Sequence, residues 1–136
     1  MSASLYLDTS AVLRAVLEGG TSPEVEELIA AAPALITSRL SLVESSRALH
    51  RLRQLGQASE AKLADAQREI NAVWTRCELW ELTSSVCERA RQVAPGKFLR
   101  TLGALHLATF LLAREKIEGL QLLTVDERLQ WALEAV

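Results

Sequence analysis

The chain is poor in cysteine, proline and glycine, and these shortages exclude several classes of protein. Its two cysteines, Cys77 and Cys87, form no Cys-X-X-Cys pair, so a zinc-binding domain is not expected and two buried thiols are the preferred interpretation. Only three prolines and six glycines among 136 residues exclude a disordered chain. The longest apolar run, residues 102–113, is too short to cross a membrane. No basic, apolar leader opens the sequence, so a cytoplasmic protein is expected.

Charge of neither sign dominates the composition. The formal net charge is −2, from 15 lysines and arginines against 17 aspartates and glutamates. Any contact with nucleic acid therefore needs a local basic patch rather than an overall positive charge. Apolar residues are abundant, at 49% of the chain. A chain of this length and content is expected to fold as one domain, residues 1–136.

Short apolar segments alternate with longer helical segments along the chain. This alternation predicts an α/β fold in which helices cover both faces of a parallel sheet, giving three α/β/α layers. Strands are predicted at residues 4–7, 34–37, 77–82 and 121–125. Helices are predicted at residues 9–17, 23–31, 39–55, 58–75, 84–94, 101–114 and 127–133.

Two aspartates, Asp8 and Asp126, each follow a predicted strand by one residue and precede a predicted helix. Ligands of open parallel sheets bind beyond the carboxyl ends of the strands, so both carboxylates are expected in one cleft. Aspartate is also a favoured N-cap, and capping is the commoner role for either residue alone. Two like charges close together need a cation or a shared proton to offset them. Since hard oxygen ligands suit Mg²⁺ or Mn²⁺, the pair favours a divalent-metal site.

Glu44 lies within the predicted helix 39–55, where two interpretations stay open. It forms an ion pair with Arg47 one turn away, or it supplies a third carboxylate to the cleft. Arg47 and Arg51 add positive charge to the same helical face. That face is either a solvated charged surface or a track for RNA phosphates beside the metal site.

Several polar residues near the aspartates are candidates for supporting roles. Thr9 and Ser10 follow Asp8, and Thr124 lies in the predicted strand before Asp126. Their hydroxyls are expected to hydrogen-bond a carboxylate or a metal-bound water. His106 lies on a nearly all-apolar helix, so a hydrogen-bonded core histidine is preferred to a metal ligand.

Four segments together, residues 5–12, 38–47, 99–108 and 122–129, identify a family resemblance. In order and spacing the chain resembles PIN-domain proteins of the VapC type, the toxin half of a bacterial toxin–antitoxin pair. The resemblance implies an α/β/α sandwich with four or five parallel strands and Mg²⁺- or Mn²⁺-dependent endoribonuclease activity on RNA. It further implies inhibition by a small cognate antitoxin and frequent assembly as a homodimer.

The resemblance also assigns roles to residues of this sequence. Asp8, Glu44 and Asp126 match three acidic positions of the family, which implies metal binding and catalysis by these three side chains. The remaining acidic position falls on Gly103, where the family normally has aspartate. We therefore expect weak or absent metal-dependent cleavage by this chain. The alternative is a catalytically inactive PIN-fold binding module that engages antitoxin or RNA without cleaving it.

Overall fold

The computed structural model describes residues 2–136, in which seven helices and four strands are found. All eleven predicted elements are confirmed, with shifts at several ends. The strands are β1 (Leu5–Leu7), β2 (Leu35–Ser38), β3 (Cys77–Trp80) and β4 (Gln121–Leu123). The helices are α1 (Thr9–Leu17), α2 (Pro23–Ala31), α3 (Arg39–Gln54), α4 (Glu60–Arg76), α5 (Ser84–Ala90), α6 (Thr101–Lys116) and α7 (Glu127–Glu134).

The four strands form one parallel sheet in the order β3-β2-β1-β4. Leu5 pairs with Leu35 on one side and with Gln121 on the other, so β1 is an inner strand. The chain builds outward from β1 to β3 and then returns to add β4 on the opposite side of β1. Strand order therefore reverses between β1 and β4, which is where open α/β sheets bind their ligands.

Helices cover both faces of the sheet, which confirms the predicted three-layer α/β/α architecture. Leu5 and Leu7 pack into a buried cluster with residues of α1 to α4. Tyr6 and Ile36 point to the other face and pack with residues of α6 and α7. Alternate residues of β1 thus belong to different cores. Burying each leucine side chain of this strand stabilises the fold by about 1.5–3 kcal/mol.

Helix ends follow local chemistry, with one clear departure from prediction. The Ser38 hydroxyl accepts a hydrogen bond from the Leu40 N–H at 3.1 Å and so caps α3. Helix α5 was predicted to extend to residue 94 but ends at Ala90. Ala94 has a φ of 46° and precedes Pro95, and a residue before proline is disfavoured in helical conformation. The loop that results leads into α6.

The two cysteines differ in their surroundings. Cys77 is half-buried, and burial raises the pKa of its thiol to about 11. Cys87 is exposed, so the expectation of two buried thiols is wrong for this residue. Among residues 2–136 no helix is long and apolar enough to cross a membrane.

Candidate functional site

A cleft of about 1070 Å³ opens where strand order reverses between β1 and β4. The three predicted acids, Asp8, Glu44 and Asp126, all line it, and Gly103 lines it as well. They come from the start of α1, the middle of α3, the start of α7 and the first turn of α6. The fold therefore brings the predicted positions to one place from four separate helices.

Asp8 is buried, and its carboxylate joins the ends of the neighbouring strands β1 and β4. Its Oδ2 accepts hydrogen bonds from Ser10 Oγ at 2.5 Å and from Thr124 Oγ1 at 2.7 Å. The register explains the second contact, because Leu7 lies opposite Leu123 and the next residue of each strand end is Asp8 or Thr124. Although Asp8 occupies the N-cap position of α1, its side chain accepts no capping hydrogen bond. Capping therefore does not account for this aspartate.

Glu44 reaches the same site through Thr9 and His106. Its Oε1 accepts a hydrogen bond from Thr9 Oγ1 at 2.8 Å and lies 2.5 Å from His106 Nε2. The same Nε2 atom lies 3.6 Å from Asp8 Oδ1, so the imidazole stands between the two carboxylates. No ion pair joins Glu44 to Arg47 in the part of the chain that the structure describes. The interpretation of Glu44 as an ion-pair partner of Arg47 is wrong.

His106 connects Glu44 to Asp8 and Tyr6, and the sequence did not indicate this connection. It is buried and hydrogen-bonded, as expected for a core histidine, yet it contacts Glu44 and Asp8, two of the predicted site residues. Since the Glu44 carboxylate can only accept, Nε2 is assigned as the donor to it. Nδ1 lies 2.8 Å from the Tyr6 hydroxyl. Burial, and then the charge of Asp8, raise the pKa of Tyr6 well above its ordinary value, so this hydroxyl keeps its proton and donates to Nδ1.

Asp126 occupies a different position from Asp8. Strand β4 ends at Leu123, so Asp126 lies three residues beyond the strand, and the expectation of one residue is wrong. Thr124 takes the position beside Asp8 instead, and Asp126 is exposed. Asp126 Oδ1 accepts a hydrogen bond from the Arg128 N–H at 2.9 Å and so caps α7. The N-cap interpretation is confirmed for this residue.

Gly103 is the third residue of α6, and the tip of Leu99 fills the space beside it. A Cβ atom built on Gly103 would lie 2.7 Å from Leu99 Cδ1 and 3.3 Å from Leu99 Cγ. Leu99 belongs to the loop before α6 and also lines the cleft. This contact crowds a larger residue at position 103 but does not by itself require glycine. Because the crowding atoms are the end of a flexible side chain, rotation of Leu99 would make room for a larger residue.

The donor chemistry of the cleft suits a hard divalent cation. Asp8 and Glu44 each hold one carboxylate oxygen in hydrogen bonds to hydroxyl groups and direct their charge to one place beside His106. Mg²⁺ is commonly held by one or two carboxylates together with water and substrate phosphate. Across residues 2–136, however, no three histidine, cysteine or acidic side chains are arranged to hold a metal ion. Asp8 and Glu44 therefore fit a site with two carboxylate ligands.

Ten of the twelve arginines either line the cleft without a carboxylate partner or pair with a carboxylate elsewhere, and the other two, Arg76 and Arg114, do neither within the described part of the chain. In residues 2–136, none of the four arginines that line the cleft forms an ion pair. Six arginines elsewhere on the surface are each paired with an acidic side chain. The cleft arginines are Arg47, Arg51, Arg100 and Arg128. The paired ones are Arg14, Arg39, Arg53, Arg68, Arg89 and Arg91. Arg100 and Arg128 were not predicted, because the loop and helix that carry them are distant from Arg47 in sequence.

Known proteins share both the sequence pattern and the architecture. A sequence profile of the PIN domain family matches residues 5–132. Ribonuclease VapC45 of Mycobacterium tuberculosis is 30% identical over 131 residues, covering 96% of this chain and 90% of that protein. PAE2754 from Pyrobaculum aerophilum superposes with a TM-score of 0.67 at 21% identity, over 97% of this chain and 81% of its own. A toxin–antitoxin complex from Klebsiella pneumoniae superposes with a TM-score of 0.61 at 20% identity, over 90% and 86%. This chain belongs to the PIN domain family and, within it, to the VapC type.

Proposed function

We propose that this chain has the scaffold of a metal-dependent endoribonuclease toxin that acts on RNA phosphodiesters. The observation that carries the proposal is the pairing of Asp8 and Glu44 around His106 at the point where strand order reverses. Four unpaired arginines line the same cleft and supply the positive charge that an RNA backbone needs. The ribonuclease relative that covers nearly the whole chain supports the same substrate class.

Each polar residue of the cleft has a role in this proposal. Asp8 and Glu44 would hold Mg²⁺ or Mn²⁺, which when bound lowers the pKa of a bound water and stabilises charge on phosphate oxygens. Ser10 and Thr124 fix the orientation of the Asp8 carboxylate, and Thr9 fixes that of Glu44. Such supporting hydrogen bonds are commonly worth 10- to 100-fold in metal affinity or activity.

Asp126 and Gly103 have weaker positions in the same proposal. Asp126 lines the cleft, but its Oδ1 accepts the hydrogen bond that caps α7. We therefore propose that Asp126 contacts the metal through water and does not bind it directly. Gly103 contributes no carboxylate, and Leu99 fills the space that a side chain would enter. Metal affinity depends on the number of charged ligands. Cleavage by this chain is therefore proposed to be impaired.

A catalytically inactive binding module is the second candidate, and a specific observation favours it. The described residues hold no preformed group of three metal-binding side chains. A chain with this cleft would still bind RNA through its arginines, or an antitoxin through apolar residues at the cleft. Val43 and Leu102 line the cleft and are 56% and 48% exposed, which suits an apolar partner segment.

We propose a small antitoxin as the protein partner, because a toxin–antitoxin complex is among the structures that share this fold. The antitoxin would cover the exposed apolar residues Val43 and Leu102 and exclude RNA from the arginines beside them. The homodimer expected from the family resemblance stays a prediction.

RNA binding in the cleft is tested by removing the two arginines that α3 contributes. In EDTA, which prevents cleavage, we expect Arg47→Gln/Arg51→Gln to weaken the binding of a single-stranded RNA oligomer. The slope of log K against log salt should fall by about 1.4, since each phosphate contact to a single strand contributes about 0.7. Fluorescence anisotropy over a range of salt concentrations measures both quantities.

The matched control replaces two arginines of the same helix that lie outside the cleft. Arg39 pairs with Glu81 and Arg53 pairs with Glu60, so Arg39→Gln/Arg53→Gln removes the same charge from α3. We expect this control to retain most of the affinity and nearly the full salt slope. Equal losses in the two double variants would show that RNA follows overall charge and not this cleft.

A further inference from the structure

Phe98 is a large apolar side chain that the fold leaves in solvent. It is 74% exposed and lies in the loop between α5 and α6. The next two residues, Leu99 and Arg100, both line the cleft, so Phe98 stands at its rim. The Phe98 side chain belongs to neither of the two buried hydrophobic clusters. An exposed aromatic ring beside a functional cleft calls for an explanation in terms of binding.

Arg128 holds the Phe98 ring from one side. Its guanidinium carbon lies 5.6 Å from the ring centroid, within the range of a cation–π contact. Arg128 belongs to the first turn of α7 and itself lines the cleft. The contact joins the loop before α6 to the start of α7 and leaves most of the ring surface accessible. The cleft wall therefore presents an aromatic face backed by a cation.

We propose that Phe98 and Arg128 form a stacking platform for one unpaired nucleobase of a single-stranded RNA whose backbone lies in the cleft. This inference rests on the proposed function, because it takes RNA as the ligand of the cleft. Unpaired RNA bases are held by stacking on aromatic rings and on arginine planes. Lys97 and Arg100 flank the ring in sequence, and neither forms an ion pair in residues 2–136. The platform thus has both an aromatic face and charge for the adjoining phosphates.

The surroundings of Phe98 favour a nucleobase over an apolar protein side chain. Hot-spot anchors of protein interfaces lie in well-packed pockets that become fully desolvated. Phe98 stands out from the surface beside three cations, Lys97, Arg100 and Arg128, and no carboxylate pairs with any of them within the described residues. Trp131 provides a comparison, since it is 65% exposed on α7 but does not line the cleft.

The test compares a single-stranded RNA oligomer of about eight nucleotides, within the usual range of site sizes, with an abasic oligomer of the same backbone. Binding is measured in EDTA at low salt by fluorescence anisotropy. We expect Phe98→Ala to weaken binding of the base-containing oligomer about tenfold or more, since stacking of one base has this magnitude. Binding of the abasic oligomer should not change. Phe98→Tyr should preserve affinity, Phe98→Leu should lose it as Phe98→Ala does, and Trp131→Ala serves as the exposed aromatic control.

Three results would overturn the platform. The first is unchanged binding by Phe98→Ala, as expected if this ring faces a protein instead. The second is full affinity in Phe98→Leu, which would reduce the contact to apolar area. The third is an equal loss for the abasic oligomer or for Trp131→Ala. Metal-dependent cleavage by a Gly103→Asp chain together with unchanged binding by Phe98→Ala would sink the platform and leave the proposed function standing. Base-dependent binding through Phe98 without metal-dependent cleavage by the Gly103→Asp chain would support the platform and contradict the proposed cleavage activity.

Discussion

Replacing Gly103 with aspartate is expected to raise Mn²⁺-dependent RNA cleavage at least about 100-fold over the present chain. The new carboxylate would enter the cleft from the first turn of α6, beside Asp8 and Glu44. Partners that merely support metal ligands are already worth 10- to 100-fold, so a missing ligand should be worth at least the upper end. An acid in the first turn of a helix is favourable and glycine within a helix is not, and these two gains oppose the repulsion of the new carboxylate by Asp8 and Glu44 when no metal is bound.

The controls for this substitution are Gly103→Asn and Gly103→Ala. The aspartate, asparagine and alanine variants all add a Cβ atom, which would lie 2.7 Å from Leu99 Cδ1. Each variant therefore requires the same movement of Leu99. Only aspartate adds a negative charge. Cleavage is measured with a fluorescent single-stranded RNA in Mn²⁺ and in EDTA. Equal activity in the present chain and Gly103→Asp would refute the proposed impairment, and activity gained equally by Gly103→Asn would assign it to Leu99 rather than to charge.

Replacing His106 with leucine is expected to lower the free energy of unfolding by about 1–3 kcal/mol, the usual cost of a buried polar group left without its partner. The Tyr6 hydroxyl would lose its hydrogen bond to Nδ1, and Glu44 would lose the donor that separates it from Asp8. Leucine has a similar volume, so a cavity contributes little. Urea unfolding followed by circular dichroism measures the change.

A double-mutant cycle with Tyr6→Phe isolates the hydrogen bond. Tyr6→Phe alone leaves Nδ1 of His106 without its donor. The double variant Tyr6→Phe/His106→Leu removes both partners and should cost less than the sum of the single changes, with a coupling of about 0.5–3 kcal/mol. Strict additivity of the two changes would show that Tyr6 and His106 act independently and would contradict the described network.

The fold was predictable because its signals are local. Alternating apolar strands and capped helices placed all eleven elements, and the parallel sheet followed from their order. The largest error at a helix end was in α5, where Pro95 and the left-handed Ala94 end the helical pattern before the apolar residues stop. The strand order, which places the cleft between β1 and β4, depends on pairing between distant residues and was not predicted.

The candidate site was predictable only in part. Asp8, Thr9 and Ser10 are adjacent in sequence, so their proximity needed no tertiary information. The link from Glu44 to His106 spans 62 positions and joins α3 to α6, which no local pattern contains. Asp126 was predicted to lie one residue after β4. The strand ends at Leu123, however, so Thr124 rather than Asp126 lies beside Asp8.

Two features at the cleft wall also depended on tertiary structure. Leu99 fills the space beside Gly103, and Arg128 lies over Phe98, yet neither contact is visible in the sequence. Both involve the loop that follows the early end of α5. The sequence pattern therefore predicted which acids line the cleft and left open what surrounds them.

Calorimetric titration of Mn²⁺ into the present chain and into Gly103→Asp tests the central claim most directly, because it measures metal affinity without RNA or catalysis. The two carboxylates Asp8 and Glu44, with no third ligand group in residues 2–136, predict weak binding to the present chain. We expect Gly103→Asp to bind Mn²⁺ at least about tenfold more tightly, and Gly103→Asn to resemble the present chain. Equal Mn²⁺ affinity in the present chain and in Gly103→Asp would contradict the account.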